Sequence, residues 1–141
     1  MINRARRILV VCLGNICRSP TAAAILARHG APGIEVRSAG IRDKHTGMPA
    51  HPAMIRAAAL HGYDLTMHRA AQVTSDDLEW ADTVLAMDRR NLADLARHPA
   101  AHTKALLYLG DRDVPDPWGR DDAAFADCVE RIRGGAHRHL P

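Results

Sequence analysis

The chain has 141 residues, of which 47% are apolar and 25% are charged, so it is large enough for one globular domain and too apolar for a disordered protein. Its formal net charge of +3 comes from dispersed lysines and arginines, which argues against a nucleic-acid-binding protein. No stretch has the unbroken apolar length of a membrane-spanning helix, which argues against membrane insertion. We expect a single domain over residues 1–141.

The cysteine, histidine and targeting patterns favour a cytoplasmic protein without a metal or other cofactor. Three cysteines cannot form a complete disulfide framework, and a free thiol suits a reducing compartment. The nine histidines are scattered without the spacing of metal ligands. Residues 1–7 contain three arginines but no apolar signal-peptide core, so we expect a cytoplasmic location.

Strand-like and helix-like segments alternate along the chain. The predicted elements in order are a strand at 8–12, a helix beginning at 20, a strand at 34–37, a helix at 53–61, a helix starting within 74–77, a strand at 83–87, a helix at 89–98, a strand at 104–109 and a final helix beginning at 121 or 122. Ser19 is predicted to cap the first helix, with Pro20 at its first position, and Asp88 to cap the helix that follows the third strand. The segment 38–40 is predicted to leave the second strand.

This alternation, without an internal repeat, predicts an α/β fold. We expect a single-domain three-layer sandwich in which helices flank a four-stranded parallel sheet of Rossmann-like topology. In such folds ligands bind at the carboxyl ends of the strands. Cys12, Ser38, Asp88 and the loop after Leu109 all lie at such ends, so we expect them near one site.

The stretch from Cys12 to Arg18 joins the first strand to the first helix. Its backbone N–H groups converge at the positive end of a helix, which suits a tetrahedral oxyanion such as phosphate. Loop amides and a helix N-terminus favour the thiolate form of Cys12, which is therefore the candidate nucleophile, and Arg18 can hold two phosphoryl oxygens in a bidentate fork. Gly14 permits a close backbone approach, Asn15 tolerates a left-handed conformation, and the Ser19 hydroxyl is placed to donate to the sulfur.

The segment from Cys12 to Pro20 resembles the phosphate-binding loop of the low-molecular-weight protein tyrosine phosphatases of the bacterial type. The intervening loop residues that carry this resemblance are Leu13, Gly14, Asn15, Ile16, Cys17 and Ser19. Further landmarks follow in the family order: Ser38-Ala39-Gly40, Gly47 with Pro49 and Pro52, His68 with Arg69 and Gln72, Met87-Asp88 with Asn91-Leu92, and Asp116-Pro117. The resemblance covers most of the chain. It implies a metal-independent hydrolase that acts on phosphotyrosine-bearing protein substrates as a monomer or weak dimer.

The resemblance implies a two-step phosphoryl transfer. Cys12 attacks phosphorus to form a phosphocysteine, while the loop amides and Arg18 stabilise the charge on the phosphoryl oxygens. The general acid of the family is the Asp of an Asp-Pro pair, here Asp116, which Pro117 biases away from helical geometry. By proximity alone, the acid could instead be one of four neighbours, namely Asp111, Asp113, Asp121 and Asp122.

The resemblance also implies supporting and rim residues. Asn15, Ser38 and His68 match the network that holds the loop in shape. The expected pocket rim consists of Lys44, His45 and Trp118, at positions where many relatives carry other residues. The rim residues therefore leave the peptide preference of this chain open.

The remaining cysteines have two alternative roles. Cys17 is either a second thiol that traps oxidised Cys12 as a disulfide, which makes the enzyme redox-sensitive, or a small packing residue. Cys128, in the predicted last helix, is expected to be structural.

Three other functions are compared with the tyrosine phosphatase. In arginine phosphatases of the same fold, a threonine in the loop favours phosphoarginine as the substrate. This chain has the apolar Ile16 at that position. Thioredoxin-coupled arsenate reductases need a cysteine pair near the end of the third strand, and residues 85–95 contain none. A non-catalytic phosphate-binding module has no reason to keep both Cys12 and Asp116. Hydrolysis of phosphotyrosine is therefore the preferred prediction.

Overall fold

The computed structural model describes residues 6–141, which contain four strands and five α-helices. The strands are β1 (Arg6–Cys12), β2 (Ile34–Gly40), β3 (Thr83–Ala86) and β4 (Ala105–Leu107). The helices are α1 (Arg18–His29), α2 (Pro52–Ala59), α3 (Ser75–Trp80), α4 (Arg89–Ala96) and α5 (Asp122–Gly135), followed by a 3₁₀ helix at Ala136–His139. The predicted domain, 1–141, includes residues 1–5, which lie outside the described residues.

The strands form one parallel sheet in the order β2–β1–β3–β4, which confirms the predicted four-stranded parallel sheet. Strand β1 is an inner strand with both faces covered, which suits the continuous apolar run at its residues 8–12. Ile8 and Val10 belong to the core cluster beneath α1, α2 and α5, whereas Leu9 and Val11 belong to the cluster beneath α3 and α4. The sandwich therefore has the predicted three layers.

Polar side chains cap the starts of four of the five α-helices in residues 6–141, and at α2 the His51 side chain accepts from the Ala53 N–H. Thr74 and Asp77 form a capping box at the start of α3, because each side chain accepts from the backbone N–H of the other. Asp88 accepts from the N–H of Asn91 at the start of α4, and Asp121 caps α5. The predicted cap at Asp88 is confirmed, and of the two predicted starts for the last helix, the structure has Asp121 as the cap and Asp122 as the first helical residue.

The prediction for the start of α1 is wrong by two residues. The helix begins at Arg18, with Cys17 at the cap position and no side-chain capping bond, so Ser19 and Pro20 lie inside its first turn. The Ser19 hydroxyl is instead 3.0 Å from the Cys12 sulfur and accepts from the Asn15 side chain. A hydroxyl that is engaged with these buried groups does not cap the helix.

The predicted end of the second strand is also wrong. Residues 38–40 continue β2 rather than leaving it, and pair in parallel with β1 as far as Cys12 opposite Gly40. The close approach of the neighbouring loop explains why small residues end this strand. A Cβ atom on Gly40 would lie 3.0 Å from the Gly14 carbonyl carbon and 3.1 Å from the Asn15 nitrogen. Strand β2 therefore supports the floor of the loop at 12–18.

Four of the predicted elements end too late. The last strand is limited to Ala105–Leu107, α2 ends at Ala59 rather than at residue 61, β3 ends at Ala86 rather than at residue 87, and α4 ends at Ala96 rather than at residue 98. Within residues 6–141, no helix combines the length and apolar character needed to cross a bilayer.

Candidate active site

Cys12 is the last residue of β1, and helix α1 begins six residues later at Arg18. The Ser19 Oγ is 3.0 Å from the Cys12 sulfur, and the Asn15 backbone N–H donates to this sulfur over 3.3 Å. Hydrogen bonds of this kind stabilise negative charge on sulfur. Cys12 is 3% exposed, so only a group that enters the cavity above it can reach the thiol.

Asn15 holds the loop in shape. Its φ angle of 59° places it in the left-handed region, which costs a non-glycine residue roughly 1–2 kcal/mol. Its side-chain N–H₂ donates to Ser19 Oγ at 2.8 Å and to Ser38 Oγ at 3.0 Å, and its side-chain oxygen accepts from the Ala71 N–H at 2.9 Å. The Asn15 carbonyl accepts from His68 Nε2 at 2.7 Å. The structure therefore brings together all three of the predicted supporting residues.

His68 acts in this network as a neutral donor. Its Nε2 must carry a proton in order to donate to the Asn15 carbonyl oxygen. Burial lowers the pKa of the His68 imidazole, the bond to Asn15 opposes this, and the nearby Arg69 lowers it further. The neutral ring with its proton on Nε2 is therefore the form that supports the loop at neutral pH.

Arg18 is 2% exposed and is anchored by only part of its guanidinium group. Nη1 donates to Asp88 Oδ2 and to the Val114 carbonyl, both at 2.8 Å. Nη2 lies 3.7 Å from Asp116 Oδ2, and Nε is buried without a hydrogen-bond partner in the described part of the chain. The edge formed by Nε and Nη2 can therefore donate to two oxygens of a bound oxyanion.

The charge on Arg18 is maintained despite its burial. Desolvation by itself lowers the pKa of the guanidinium, but the facing Cys12 sulfur, the Asp88 hydrogen bond and Asp116 together raise it above its ordinary value. The site thus keeps a permanent cation next to the thiol.

Asp116 is the only acidic residue among the described residues that line the cavity above Cys12. Its Oδ1 accepts from the Trp118 N–H at 3.1 Å, and its side chain is 39% exposed. The four neighbouring aspartates do not line this cavity: Asp113 accepts from the Arg89 N–H, Asp121 caps α5, Asp122 pairs with Arg56, and the Asp111 carbonyl accepts from Arg89. Of the five candidates for the general acid, geometry favours Asp116.

The cavity has a volume of about 250 Å³. Its lining consists of Cys12, Leu13, Gly14, Ile16, Cys17, Arg18, Arg42, Lys44, His45, Asp116 and Trp118. The three predicted rim residues are all present. Arg42 was not predicted, although a basic residue just beyond the carboxyl end of a strand is a signal that could have indicated it. The backbone carbonyl of Val114 was also missed, and no side-chain pattern reports such a contact.

Gly14 and His45 are in close contact. A Cβ atom at position 14 would lie 2.9 Å from His45 Cδ2, so the ring lies directly against the loop backbone. The same ring is 5.5 Å from that of Trp118, between ring centroids, and Trp118 is 5.4 Å from His51. These contacts connect the loop after β2 to the loop that carries Asp116.

The other two cysteines are buried and unpaired. Burial is the largest cause that raises the pKa of the Cys17 thiol, followed by the neighbouring Cys12, so Cys17 is held as a thiol. Burial likewise raises the pKa of the Cys128 thiol to about 12. Capture of oxidised Cys12 by Cys17 stays a prediction. Within residues 6–141, no group of three or more histidine, cysteine, aspartate or glutamate side chains is arranged to hold a metal ion.

Comparison with known proteins assigns the chain to a family. The model of the family "low molecular weight phosphotyrosine protein phosphatase" matches residues 7–140. A protein of Ralstonia nicotianae named "probable low molecular weight protein-tyrosine-phosphatase EpsP" is 41% identical over 140 residues, which cover 96% of this chain and 94% of the relative.

Solved structures agree with this match. Vibrio vulnificus Wzb in complex with benzylphosphonate superposes with a TM-score of 0.89 at 32% identity, covering 95% of this chain and 96% of that one. The YwlE arginine phosphatase of Geobacillus stearothermophilus also gives a TM-score of 0.89 at 32% identity, covering 94% and 89%. The family model spans nearly the whole chain, so this protein belongs to the low molecular weight phosphotyrosine protein phosphatase family.

Proposed function

We propose that this protein hydrolyses phosphotyrosine in protein substrates through a phosphocysteine intermediate on Cys12. The observation that carries this proposal is that the Cys12 thiol, the Arg18 guanidinium and the Asp116 carboxyl line one small cavity. These groups supply a nucleophile, a stabiliser of negative charge and a proton donor. The Ralstonia relative is itself named a probable protein tyrosine phosphatase.

In the first step the Cys12 thiolate attacks phosphorus, and the bond from phosphorus to the tyrosine oxygen breaks. The N–H groups of the loop and the free edge of Arg18 donate to the phosphoryl oxygens as charge develops on them. Asp116 gives its proton to the departing phenolic oxygen, which leaves tyrosine and an Asp116 carboxylate.

In the second step the Asp116 carboxylate takes a proton from water, and the oxygen of that water attacks phosphorus. The sulfur–phosphorus bond breaks, inorganic phosphate leaves, and the Cys12 thiolate and the protonated Asp116 are restored. Ser19 supports both steps. Its hydroxyl lies 3.0 Å from the Cys12 sulfur and can donate to the thiolate before the sulfur attacks phosphorus and again when the sulfur–phosphorus bond breaks.

The walls of the cavity suit an aryl phosphate. Leu13 and Ile16 present apolar side chains near the thiol, and Trp118 lies at the mouth with 52% of its surface exposed. A phenyl ring can pack between such groups while its phosphate reaches the loop. Phosphoserine, which has a shorter side chain without a ring, would leave these walls without contacts.

An arginine phosphatase is the second candidate, since the YwlE structure matches as well in fold as the Vibrio Wzb structure does. Ile16 argues against it. The Ile16 side chain lines the cavity and is 8% exposed, so it offers an apolar contact and no hydrogen bond to a guanidinium group. The predictions of a cytoplasmic enzyme that is monomeric or weakly dimeric stay predictions.

One assay tests the proposal. The purified protein is offered phosphotyrosine, phosphoserine and phosphoarginine peptides in the presence of a chelator, and arsenate with a thioredoxin system. We expect rapid release of phosphate from phosphotyrosine alone. Faster release from phosphoarginine, or reduction of arsenate, would replace the proposal with the corresponding alternative.

The variant Cys12→Ser tests the nucleophile. We expect turnover to fall by at least about a thousandfold, because an alcohol of high pKa cannot replace the thiolate, while phosphate still binds to the loop amides. Cys128→Ser is the matched control, since Cys128 is buried but lies outside the cavity lining. Substantial activity in Cys12→Ser would contradict the assignment.

A further inference from the structure

Two cations lie at the mouth of the cavity, on the loop that follows β2. Arg42 and Lys44 both line the cavity, and both are exposed. Within residues 6–141, neither side chain forms an ion pair or a hydrogen bond. Some exposed arginines are paired, for example Arg37 with Asp77 and Arg131 with Asp127, whereas others, such as Arg97, likewise have no side-chain partner among the described residues, so it is the position of Arg42 and Lys44 at the cavity that distinguishes them. We name Arg42 and Lys44 the basic rim.

The backbone beneath the basic rim is fixed. The Arg42 N–H donates to the Leu13 carbonyl at 3.0 Å, and the Gly47 N–H donates to the Ala70 carbonyl at 2.8 Å. His45, which follows Lys44, lies against Gly14. The backbone that carries both cations is therefore already in place at the mouth before any substrate arrives, so binding need not order it.

Little negative charge opposes the basic rim inside the cavity. Among the described lining residues only Asp116 is acidic, and its nearest cation is Arg18 at 3.7 Å. Asp43 lies between the two rim residues along the chain, but it is exposed and does not line the cavity. The mouth thus presents positive charge to the residues next to a bound phosphotyrosine.

We infer that the basic rim selects phosphotyrosines flanked by acidic residues. This inference rests on the proposed function, because the phosphotyrosine must occupy the cavity for its neighbours to reach the rim. Aspartate or glutamate beside the phosphotyrosine would pair with Arg42 and Lys44, which have no partner in the described part of the protein. Arg42 is thereby a specificity-determining residue together with Lys44.

The test compares two peptides that share one phosphotyrosine and differ only in whether its neighbours are Asp and Glu or the uncharged Asn and Gln. In the parent protein we expect kcat/KM to be about three- to tenfold higher for the acidic peptide, mainly through KM, since exposed ion pairs are individually weak. The preference should diminish at high ionic strength because salt screens exposed charges.

The double variant Arg42→Gln/Lys44→Gln should reduce the ratio of the two kcat/KM values to about one. The ratio is the readout because general damage to the site affects both peptides equally. Arg97→Gln is the matched control. Arg97 is also exposed but lies at the far end of α4, outside the cavity lining, and its variant should keep the parent ratio.

Equal kcat/KM for the two peptides in the parent, or a preference that persists in the double variant, would overturn the inference while leaving the phosphatase assignment intact. An equal loss of preference in Arg97→Gln would overturn it too, since the effect would then come from net charge alone. If the parent hydrolyses neither peptide nor p-nitrophenyl phosphate, the proposed function fails, and this inference fails with it.

Discussion

The Asp88 carboxylate joins the Arg18 guanidinium to the N-terminus of helix α4. Its Oδ2 accepts from Arg18 Nη1 at 2.8 Å, while its Oδ1 accepts from the Asn91 N–H at 2.7 Å. A residue 70 positions away in the chain thus orients the cation beside Cys12. The same carboxylate also satisfies a backbone donor that the helix leaves unpaired.

The variant Asp88→Asn separates these two roles. Asparagine caps helices about as well as aspartate does, so the cap should survive while the charge opposite Arg18 is lost. We expect the free energy of unfolding to fall by about 2 kcal/mol and kcat/KM to fall at least about tenfold, because a buried cation loses its charged partner. Denaturant unfolding and steady-state kinetics measure the two effects.

Asp121→Asn is the control for this variant. Asp121 caps α5 in the same way, with its Oδ1 accepting from the Ala124 N–H at 3.0 Å, but it has no contact with Arg18. Its substitution should change stability by less than about 0.5 kcal/mol. Equal behaviour of the two variants would show that the charge of Asp88 is unimportant.

Asp116→Asn should change how the rate depends on the leaving group. Without a proton donor, aryl phosphates with basic leaving groups should react about a hundredfold more slowly or worse, and those with acidic leaving groups should be affected much less. A series of substituted phenyl phosphates measures this dependence. Asp113→Asn is the control, because Asp113 accepts from the Arg89 N–H outside the cavity. A changed dependence in that control, with none in Asp116→Asn, would transfer the acid role to Asp113.

Gly14→Ala should force His45 away from the loop. The new Cβ would lie 2.9 Å from His45 Cδ2, closer than real contacts allow, so we expect a loss of about 1 kcal/mol in stability. In a His45→Ala background the same change should cost much less, because the opposing ring is gone. Denaturant unfolding of the four proteins gives the coupling.

Gly134→Ala is the control for that experiment, because it adds the same methyl group at a glycine where there is no clash. Gly134 lies in α5, and a Cβ added to it would have no atom within 4 Å, so alanine should stabilise the helix by up to about 1 kcal/mol. The same cost for Gly14→Ala in both backgrounds would mean that its clash is not with His45.

Stability should decrease as the pH falls below about 6.5. Burial lowers the pKa of His68, and burial also lowers those of His51 and His139. The unfolded chain therefore takes up protons first, at about pH 6.5, and the folded state becomes progressively less stable until its own histidines protonate at lower pH. The stability that these histidines contribute in their neutral form is therefore fully present above about pH 6.5 and is lost progressively below it.

The variant His68→Gln should weaken this dependence, since one of the titrating groups is removed. The free energy of unfolding, measured between about pH 7.5 and pH 5, gives the slope for each protein. The exposed His98 supplies the control variant His98→Gln, which should keep the parent slope. An unchanged slope in His68→Gln would mean that His68 does not contribute to the pH dependence.

The sequence by itself determined the features that depend on neighbouring residues. The apolar run at 8–12 indicates a strand covered on both faces, and Asp88 before Arg89 indicates a helix cap, because both signals act within a few residues. The short spacing from Cys12 to Arg18 likewise places a thiol and a guanidinium at one strand-to-helix junction. Family resemblance then pointed to Asp116 among five nearby aspartates.

Only the tertiary structure decided which distant groups meet. Ser19 has the sequence of a helix cap, yet its hydroxyl is engaged with Cys12 and Asn15, because buried polar groups must find partners wherever the fold brings them. His68 reaches the Asn15 carbonyl from 53 residues away, and Arg42 enters the rim because β2 continues to Gly40 beside the loop. Such contacts depend on how strands are placed side by side in the sheet, and local sequence patterns carry no record of that placement.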